Sequence, residues 1–226
     1  MFAPDHYPSV AIIGSGQRFG VHRIYCVGRN YAAHAREMGN NPDRDPPFFF
    51  TKPDDAVVAN GAAVPYPPRT ANLHHEVELV VAIGAMGRNV SPADAHTLVF
   101  GYAVGNDLTR RDLQQAAREE RRPWDTSKGF DHSAPLTGIH PVPDGAPPLA
   151  SGAIWLKVNG EQRQSADLAD MIWSVAEVIA ELSALYTLQP GDLIFTGTPA
   201  GVGPVQRGDQ LEAGIAGFET LVNMIV

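Results

Sequence analysis

Glycine and proline are unusually frequent in this chain, which has 22 glycines and 19 prolines among 226 residues. Proline interrupts long helices because it lacks a backbone N–H, and glycine supplies the conformations that tight turns require. Short apolar and β-branched runs recur between these residues, as is typical of strands. The pattern argues against a helical bundle and predicts a mixed α/β, β-rich fold of short strands joined by turns.

The element pattern is predicted from these runs and from helix-capping residues. Strands are predicted at residues 10–13, 24–27, 48–52, 76–83, 102–107, 154–158, 193–196 and 218–225. Helices are predicted at 91–98, 109–121 and 171–185, with a short helix at 30–38 before a polar run at 39–47. No composition shift divides the chain, so we expect one domain with a flexible N-terminal flap.

Charge and cysteine content narrow the classes of partner. The formal net charge is -8 with no basic run, which argues against nucleic acid because phosphate binding needs clustered Lys and Arg. Cys26 is the single cysteine, so an internal disulfide is impossible and a reducing cytoplasm is the expected location. The N-terminal residues lack a signal-peptide pattern, and no apolar run is long enough to span a bilayer.

The run GSGQRFG at residues 14–20 superficially resembles a dinucleotide-binding loop. Such a loop has to open a helix, so that the pyrophosphate meets the helix N-terminus. Here the strand-like sequence HRIYCV follows almost at once. We therefore predict a hairpin turn at this position.

A candidate metal site lies in the segment NLHHEVELVVAIG. Glu76 and Glu78 are two residues apart on a predicted strand, so their carboxylates share one face. A solvated strand face is the alternative, but the strand continues as an apolar run that predicts burial. Two buried like charges require a cation between them, and Asp107, at the end of another apolar strand, offers a third ligand unless it only caps a helix. Three carboxylates favour Mg²⁺ or Mn²⁺ over iron or zinc.

A candidate base and a candidate cation occur elsewhere. His34 and Glu37 are three residues apart on a predicted helix, where the carboxylate can orient the imidazole as a general base. The alternative is an exposed histidine on a polar helix. Lys128 is one of three lysines and lies among small and aromatic residues. It either stabilises an oxyanion in the site or is a surface cation.

Several motifs together resemble the short form of the fumarylacetoacetate hydrolase family. They are RNYAAHAREMG, FFFTKP, NLHHEVELVVAIG, NDLTRRDLQ, SKGF, WLKVNGE and GDLIFTGTPAGVGPVQRGD, which occur in this order from about residue 24 to the C-terminus. The resemblance implies a β-roll with flanking helices, a single catalytic domain over 1–226 and usually a homodimer. Within it, residues 1–22 form an N-terminal strand and turn, and about 29–47 form a lid.

The resemblance also implies roles for individual residues. Glu76, Glu78 and Asp107 match the metal ligands, which hold Mg²⁺ or a similar ion such as Mn²⁺ or Ca²⁺. His34 and Glu37 match a water-activating pair on the lid, and Lys128 matches an active-site lysine. Positions near the substrate are matched by Arg111, Gln114, Thr198 and Lys52.

The implied activity is metal-dependent hydrolysis of a carbon–carbon bond in a 2,4-diketo acid, fumarylpyruvate or another acylpyruvate, as occurs in aromatic catabolism. An oxaloacetate decarboxylase or a ring-cleavage-product isomerase or decarboxylase is the alternative, and a non-catalytic metal- or keto-acid-binding protein is an alternative of another class. Arg36 or Arg69 could contact a distal carboxylate of the substrate.

Overall fold

The computed structural model describes residues 8–37, 45–143 and 145–226. The fold is mixed α/β and rich in strands, as predicted. The strands are β1 Ser9–Ala11, β2 Arg18–Gly20, β3 Arg23–Val27, β4 Phe49–Lys52, β5 Val57–Ala59, β6 Ala63–Val64, β7 Leu73–His75, β8 Val77–Ile83, β9 Val99–Asn106, β10 Thr109–Arg110, β11 Ala134–Leu136, β12 His140–Pro141, β13 Ala153–Val158, β14 Glu161–Asp167, β15 Asp192–Phe195, β16 Gly203–Val205, β17 Gln210–Ile215 and β18 Leu221–Ile225. The α-helices are α1 Ala32–Glu37, α2 Arg111–Glu119, α3 Asp125–Lys128 and α4 Val175–Leu185, and 3-10 turns lie at Asp54–Ala56, Ala95–Leu98 and Leu168–Asp170.

The largest sheet carries the site. Its strand order is β4-β3-β15-β8-β9-β11-β5, with β12 paired to β9. The antiparallel pair β8 and β9 lies near the centre, with Val77 opposite Asn106 and Glu78 opposite Gly105. Every residue of β8 is buried, so the side chains at the start of this strand lie in the protein interior.

The two faces of β8 belong to two separate hydrophobic clusters. Leu79, Val81 and Ile83 pack in one cluster, and Val80 and Ala82 pack in the other. This alternation is the expected consequence of the two-residue period of a strand. A second sheet, of order β14-β13-β17-β18-β6, packs against the large sheet through β13 and β17.

The predicted hairpin at residues 14–20 is confirmed. Strands β1 and β2 pair antiparallel with Ser9 opposite Gly20, and Gly14 has φ 76° in the connecting turn. A positive φ is easily reached by glycine because it has no Cβ.

The prediction of an α-helix at 91–98 was wrong. Ser91 and Asp94 form a local turn in which the Ser91 hydroxyl donates to Asp94 Oδ2 at 2.7 Å, and only Ala95–Leu98 continue as a 3-10 turn. Side chains of this kind compete with helical hydrogen bonding.

The other two helix starts were placed too early. Thr109 and Arg110 pair with His74 and Leu73 as β10, and the Thr109 hydroxyl donates to the Asp107 carbonyl at 3.0 Å, so α2 begins only at Arg111. Strand pairing thus overrides the capping pattern. Helix α4 begins at Val175, after a capping box between Ser174 and Glu177.

The predicted short helix at 30–38 is present as α1. Residues 38–44 of the predicted lid, and residues 1–7 of the predicted N-terminal segment, lie outside the described residues. Among the described residues, no helix is long and apolar enough to cross a membrane.

Candidate metal centre and substrate pocket

Three carboxylates converge where β7, β8 and β9 meet. Glu76 connects β7 to β8, Glu78 is the second residue of β8, and Asp107 follows β9. All three are buried, and their ligand atoms lie within 4.8 Å of one another. We call these three residues the carboxylate cage. The same-face prediction for Glu76 and Glu78, and the convergence of Asp107 on them, are both seen in the structure.

Backbone hydrogen bonds fix the cage. The Asp107 N–H donates to the Glu76 carbonyl at 2.8 Å, and the Glu76 N–H donates to Asn106 Oδ1 at 2.8 Å. Asn106 was not singled out from the sequence, where an asparagine beside an aspartate has no distinctive pattern. Its side chain replaces a strand-pairing bond at the point where Glu76 leaves the strand.

Lys128 connects two members of the cage. Its ammonium donates to Glu76 Oε2 at 2.7 Å and to Asp107 Oδ2 at 2.5 Å. Burial alone lowers the pKa of Lys128, but the negative charges of Asp107 and Glu76 outweigh it and the net direction is upward. Lys128 therefore stays charged within the site.

Lys52 lies on the far side of Asp107. Its ammonium forms a 2.7 Å ion pair with Asp107 Oδ1 and donates to the carbonyls of Leu108 at 3.1 Å and Lys128 at 2.5 Å. The side chain is fully buried. With these three protein partners, Lys52 holds Asp107 and the end of α3 in place.

Arg111 and Gln114 flank Glu76 from the first turns of α2. Arg111 Nη2 pairs with Glu76 Oε1, Nη1 donates to Gln114 Oε1, and Nε donates to His74 Nδ1 at 3.3 Å. Burial, followed by the charge of Arg111, lowers the pKa of His74 to about 4. His74 is therefore neutral at neutral pH and acts as an acceptor for Arg111.

The surroundings of Glu76 and Glu78 shift the pKa values of these two carboxyl groups in opposite directions. Burial raises the pKa of Glu76, but the positive charges of Lys128 and Arg111 outweigh it and hold that pKa well below its usual range. Burial and the charges of Asp107 and Glu76 raise the pKa of Glu78 well above its usual range. Among the ion pairs of the described residues none includes Glu78, whose Oε2 accepts only the Gly197 N–H, at 2.7 Å.

A divalent cation fits this arrangement. Glu78 is a buried carboxylate that lacks a cationic partner in the described chain, and oxygen atoms of three residues can reach one point. Carboxylate oxygens are the ligands that Mg²⁺, Mn²⁺ and Ca²⁺ prefer. A cation at this point supplies the charge that Glu78 requires to remain ionised in the interior.

His34 and Glu37 meet on α1 as their spacing predicts. His34 Nδ1 lies 3.1 Å from Glu37 Oε2, and Glu37 also accepts the Gly201 N–H, at 3.1 and 3.2 Å from its two oxygens. His34 is buried, whereas the Glu37 side chain is 35% exposed. Gly201 has φ 96°, and a Cβ there would lie 2.1 Å from the Arg163 carbonyl oxygen, so the loop that contacts Glu37 requires glycine.

The base of α1 is held by Asn30, which was not predicted as a site residue. Its amide Nδ2 donates to the carbonyls of Trp173 and Thr196, both at 2.8 Å, and its Oδ1 accepts the Trp173 N–H at 2.7 Å. Gly197 packs so closely on Asn30 that an added Cβ would come within 2.6 Å of the Asn30 Cβ. Asn30 thereby joins the segment that carries His34 to the loop that contacts Glu78.

One pocket brings together five of the ten predicted site residues, namely His34, Glu76, Arg111, Gln114 and Lys128. Its lining consists of Gly28, Arg29, His34, Glu76, Arg111, Gln114, Gln115, Arg118, Trp124 and Lys128. Two predicted substrate contacts lie outside this lining, Lys52 behind Asp107 and Thr198 on the loop after β15. Thr198 Oγ1 accepts a 2.8 Å hydrogen bond from Gln164 Nε2.

Gln164 is a second buried residue that the sequence did not reveal. Its Oε1 lies 2.9 Å from His75 Nδ1 and accepts the Val77 N–H at 3.1 Å, and its Nε2 also donates to the Pro199 carbonyl at 2.8 Å. It lies in the polar strand β14, whose composition predicts an exposed segment. The residue therefore ties the start of β8 to the loop after β15 without any recognisable sequence pattern.

Comparison with known proteins agrees with this geometry. Residues 23–226 match the family model described as fumarylacetoacetate (FAA) hydrolase C-terminal. A crystal structure of fumarylpyruvate hydrolase from Pseudomonas aeruginosa in complex with Mn²⁺ and pyruvate superposes with a TM-score of 0.96 at 51% identity, covering 100% of this chain and 98% of that one.

Two curated relatives carry different activities in their names. Fumarylpyruvate hydrolase of Ralstonia sp is 49% identical over 183 residues, 80% of this chain and 94% of the relative. Mitochondrial oxaloacetate tautomerase FAHD1 of Bos taurus is 44% identical over 194 residues, 86% of this chain and 87% of the relative. The match over residues 23–226 and the level of identity establish that the chain belongs to the fumarylacetoacetate hydrolase family.

Proposed function

We propose that the protein is a metal-dependent hydrolase that cleaves a carbon–carbon bond of a 2,4-diketo acid, an acylpyruvate such as fumarylpyruvate, to pyruvate and a carboxylic acid. The observation that carries the proposal is the buried carboxylate cage, whose member Glu76 lines the same pocket as His34 and Lys128. Hydrolysis needs a cation site, a base for water and a positive charge near the attacked carbonyl. The relatives named fumarylpyruvate hydrolase support this choice.

The carboxylate cage would hold Mn²⁺ or Mg²⁺, with Ca²⁺ as a further hard cation of suitable chemistry. When bound, the ion supplies polarisation of a keto oxygen and neutralises charge on an enolate leaving group. The Mn²⁺ in the Pseudomonas aeruginosa relative supports a cation of this class.

Charge balance favours an anionic substrate. The cage contributes three negative charges when fully ionised, and three basic side chains contact it, namely Lys52, Lys128 and Arg111. A divalent ion therefore leaves the centre with two positive charges in excess. A keto acid that carries a carboxylate and develops an enolate matches this excess.

His34 would act as the general base. Its Nδ1–H donates to Glu37, which leaves Nε2 as the basic atom. Glu37 fixes this tautomer and stabilises the imidazolium that forms when Nε2 takes a proton from water. The Gly201 N–H fixes Glu37 in turn.

Lys128 would stabilise the oxyanion at the attacked carbon. It lines the pocket and keeps its charge because of its two carboxylate partners. A fixed cation in a buried site stabilises developing negative charge without reorganising. The oxygen of water then joins the 4-keto carbon, the bond between carbons 3 and 4 breaks, and its electron pair becomes the enolate of pyruvate, which is protonated at carbon 3.

We further propose one catalytic domain, a homodimer and a cytoplasmic location. The family match from residue 23 to the C-terminus supports the single domain. The buried free thiol of Cys26 is consistent with a reducing compartment. Light scattering coupled to size-exclusion chromatography tests the homodimer, which a monomeric mass would contradict.

Steady-state assays with fumarylpyruvate, acetylpyruvate and oxaloacetate, each with Mn²⁺, with Mg²⁺ and with excess chelator, test the activity. We expect metal-dependent release of pyruvate with stoichiometric carboxylic acid from at least one acylpyruvate. Turnover of oxaloacetate alone would instead favour the oxaloacetate-directed alternative, which the FAHD1 relative suggests. Binding of keto acids without turnover would favour the non-catalytic alternative.

A further inference from the structure

A second cavity adjoins the pocket at the carboxylate cage. It has a volume of about 390 Å³, and five aromatic residues contribute to its lining, namely Phe48, Phe49, Phe50, Trp124 and Tyr186. We call this cavity the aromatic chamber. Trp124 and Lys128 line both cavities, so the aromatic chamber begins beside the lysine that is proposed to stabilise the oxyanion.

Three aromatic rings form a continuous surface that starts at Lys128. The Lys128 ammonium lies 5.0 Å from the centre of the Phe50 ring. The Trp124 ring meets the rings of Phe50 and Phe48 edge to face, with centroid distances of 5.9 and 5.3 Å. Phe50 and Lys52 are two residues apart on β4 and share a face, and Lys52 pairs with the cage. The aromatic surface therefore lies on the same side of the sheet as the cage.

The two cavities differ in size. The pocket at the cage has a free volume of about 30 Å³, which is room for about two water molecules. Cavities that bind small organic ligands usually measure about 300–1,000 Å³, and the aromatic chamber falls in this range. Space for the bulkier part of a substrate is therefore found in the aromatic chamber.

The proposed reaction directs the acyl group toward the aromatic chamber. Lys128 would stabilise the oxyanion at the 4-keto carbon, and the rest of the acyl group is attached to this carbon through a bond of about 1.5 Å. The pyruvate part of the substrate lies on the cage side of the same carbon. The acyl group then leaves on the other side, where Phe50 and Trp124 lie. Aromatic rings pack favourably against other flat π-systems in offset or edge-to-face geometry.

We propose that the aromatic chamber binds the acyl group of the substrate and favours planar, unsaturated acyl groups over acetyl. This inference rests on the proposed hydrolase function and adds its substrate specificity. Arg36 and Arg69, the sequence-based candidates for contacting a distal carboxylate, line neither cavity.

Kinetics with acylpyruvates of different acyl groups test the proposal. Benzoylpyruvate carries a flat ring, and acetylpyruvate carries only a methyl group beyond the 4-keto carbon. The measured quantity is kcat/KM for benzoylpyruvate divided by kcat/KM for acetylpyruvate, with Mn²⁺ present. Comparing this ratio between a variant and the wild type cancels the different intrinsic reactivities of the two substrates.

Two variants change the aromatic chamber in opposite ways. Phe48→Ala removes part of its aromatic wall, and the ratio should fall about 10-fold, the order of effect expected when a buried aromatic contact is lost. Thr51→Trp adds a large ring at an exposed residue of the lining. It should obstruct the cavity and lower the ratio at least about 10-fold.

Controls separate recognition from folding. Met86→Ala removes a side chain that is 67% exposed, and Thr220→Trp adds a ring at an exposed threonine. Both residues lie outside the linings of the two cavities, so the ratio should stay within about threefold of wild type. Thermal unfolding shows which variants retain the fold, and either folded chamber variant is sufficient for the test.

The outcomes distinguish the specificity from the activity. An unchanged ratio in folded Phe48→Ala or Thr51→Trp, or equal losses for both substrates, would overturn the role of the aromatic chamber alone. A change of molecular mass in light scattering, seen in these variants but not in the controls, would identify the cavity as a subunit contact and would also overturn it. A wild-type protein that cleaves neither these substrates nor fumarylpyruvate with Mn²⁺ would overturn the hydrolase function itself.

Discussion

The pairing of His34 with Glu37 leads to a prediction about how their contributions combine. His34→Ala removes the atom that would accept the proton of water, so kcat should fall by about 10² to 10⁴. Because the cage lies outside this pair, Mn²⁺ affinity should stay within about threefold of wild type. Kinetic assays of pyruvate release measure kcat, and calorimetric titration with Mn²⁺ measures the metal affinity.

The expected effect of Glu37→Ala is smaller and follows from the geometry. The hydrogen bond from His34 Nδ1 is 3.1 Å long, and the Glu37 side chain is 35% exposed. A hydrogen bond to a charged group contributes about 1.5–3 kcal/mol, and solvent screening favours the lower end of that range. At 1.36 kcal/mol per factor of ten, kcat should therefore fall about tenfold.

The double variant carries the decisive information. If Glu37 acts through His34, then His34→Ala/Glu37→Ala should match His34→Ala within about threefold, because the partner has nothing left to orient. His96→Ala, at a half-buried histidine outside the pocket lining, is the matched control and should be fully active. Losses that multiply in the double variant would refute the shared mechanism, and near-wild-type activity in His34→Ala would refute the base assignment.

Three further predictions concern Glu76 in the cage, Lys52 beside it and Asp112 at the start of α2. Glu76→Gln should lower Mn²⁺ affinity and turnover together, as seen by titration and assay, and a wild-type enzyme equally active in excess chelator would contradict the metal centre. Lys52→Met leaves Asp107 and two carbonyls without their buried donor and should lower the free energy of unfolding by about 3–5 kcal/mol in urea titrations; a loss below about 1 kcal/mol would show that other groups support Asp107. Burial raises the pKa of Asp112, but hydrogen bonds from the Thr70 hydroxyl and the Ala71 N–H outweigh this effect, so the net pKa of Asp112 is lowered. That stability is present above the unfolded pKa of about 3.9 and is lost as pH falls through the folded value. Asp112→Asn should therefore be less stable than wild type at pH 6, with a gap that narrows below about pH 4, and a gap independent of pH would contradict the assignment.

The Glu76 and Glu78 part of the carboxylate cage could be predicted from sequence because two simple regularities determine it. Alternation along a strand puts Glu76 and Glu78 on one side, and the apolar run that follows buries them. The helical spacing of His34 and Glu37 is equally local. Each inference needs only neighbouring residues, so no knowledge of the remaining chain is required.

Features that depend on distant pairing could not be predicted. Thr109 has the composition of a helix cap, but it pairs with His74 across the sheet and the helix starts later. The role of Gln164 depends on contacts with Thr198 and His75, which lie 34 and 89 positions away in the sequence. Lys52 resembles a substrate contact in sequence, and only its position behind Asp107 reveals three protein partners.

The basic side chains that contact the cage have a consequence for the order of assembly. Lys52, Lys128 and Arg111 are buried with the carboxylates and offset the charges of Glu76 and Asp107. The raised pKa of Glu78 lets that group enter the interior in its neutral form. Folding then does not have to wait for an ion, in contrast to small domains that are unfolded until metal binds. A cation that binds the carboxylate cage would then be removable by a chelator without loss of the fold.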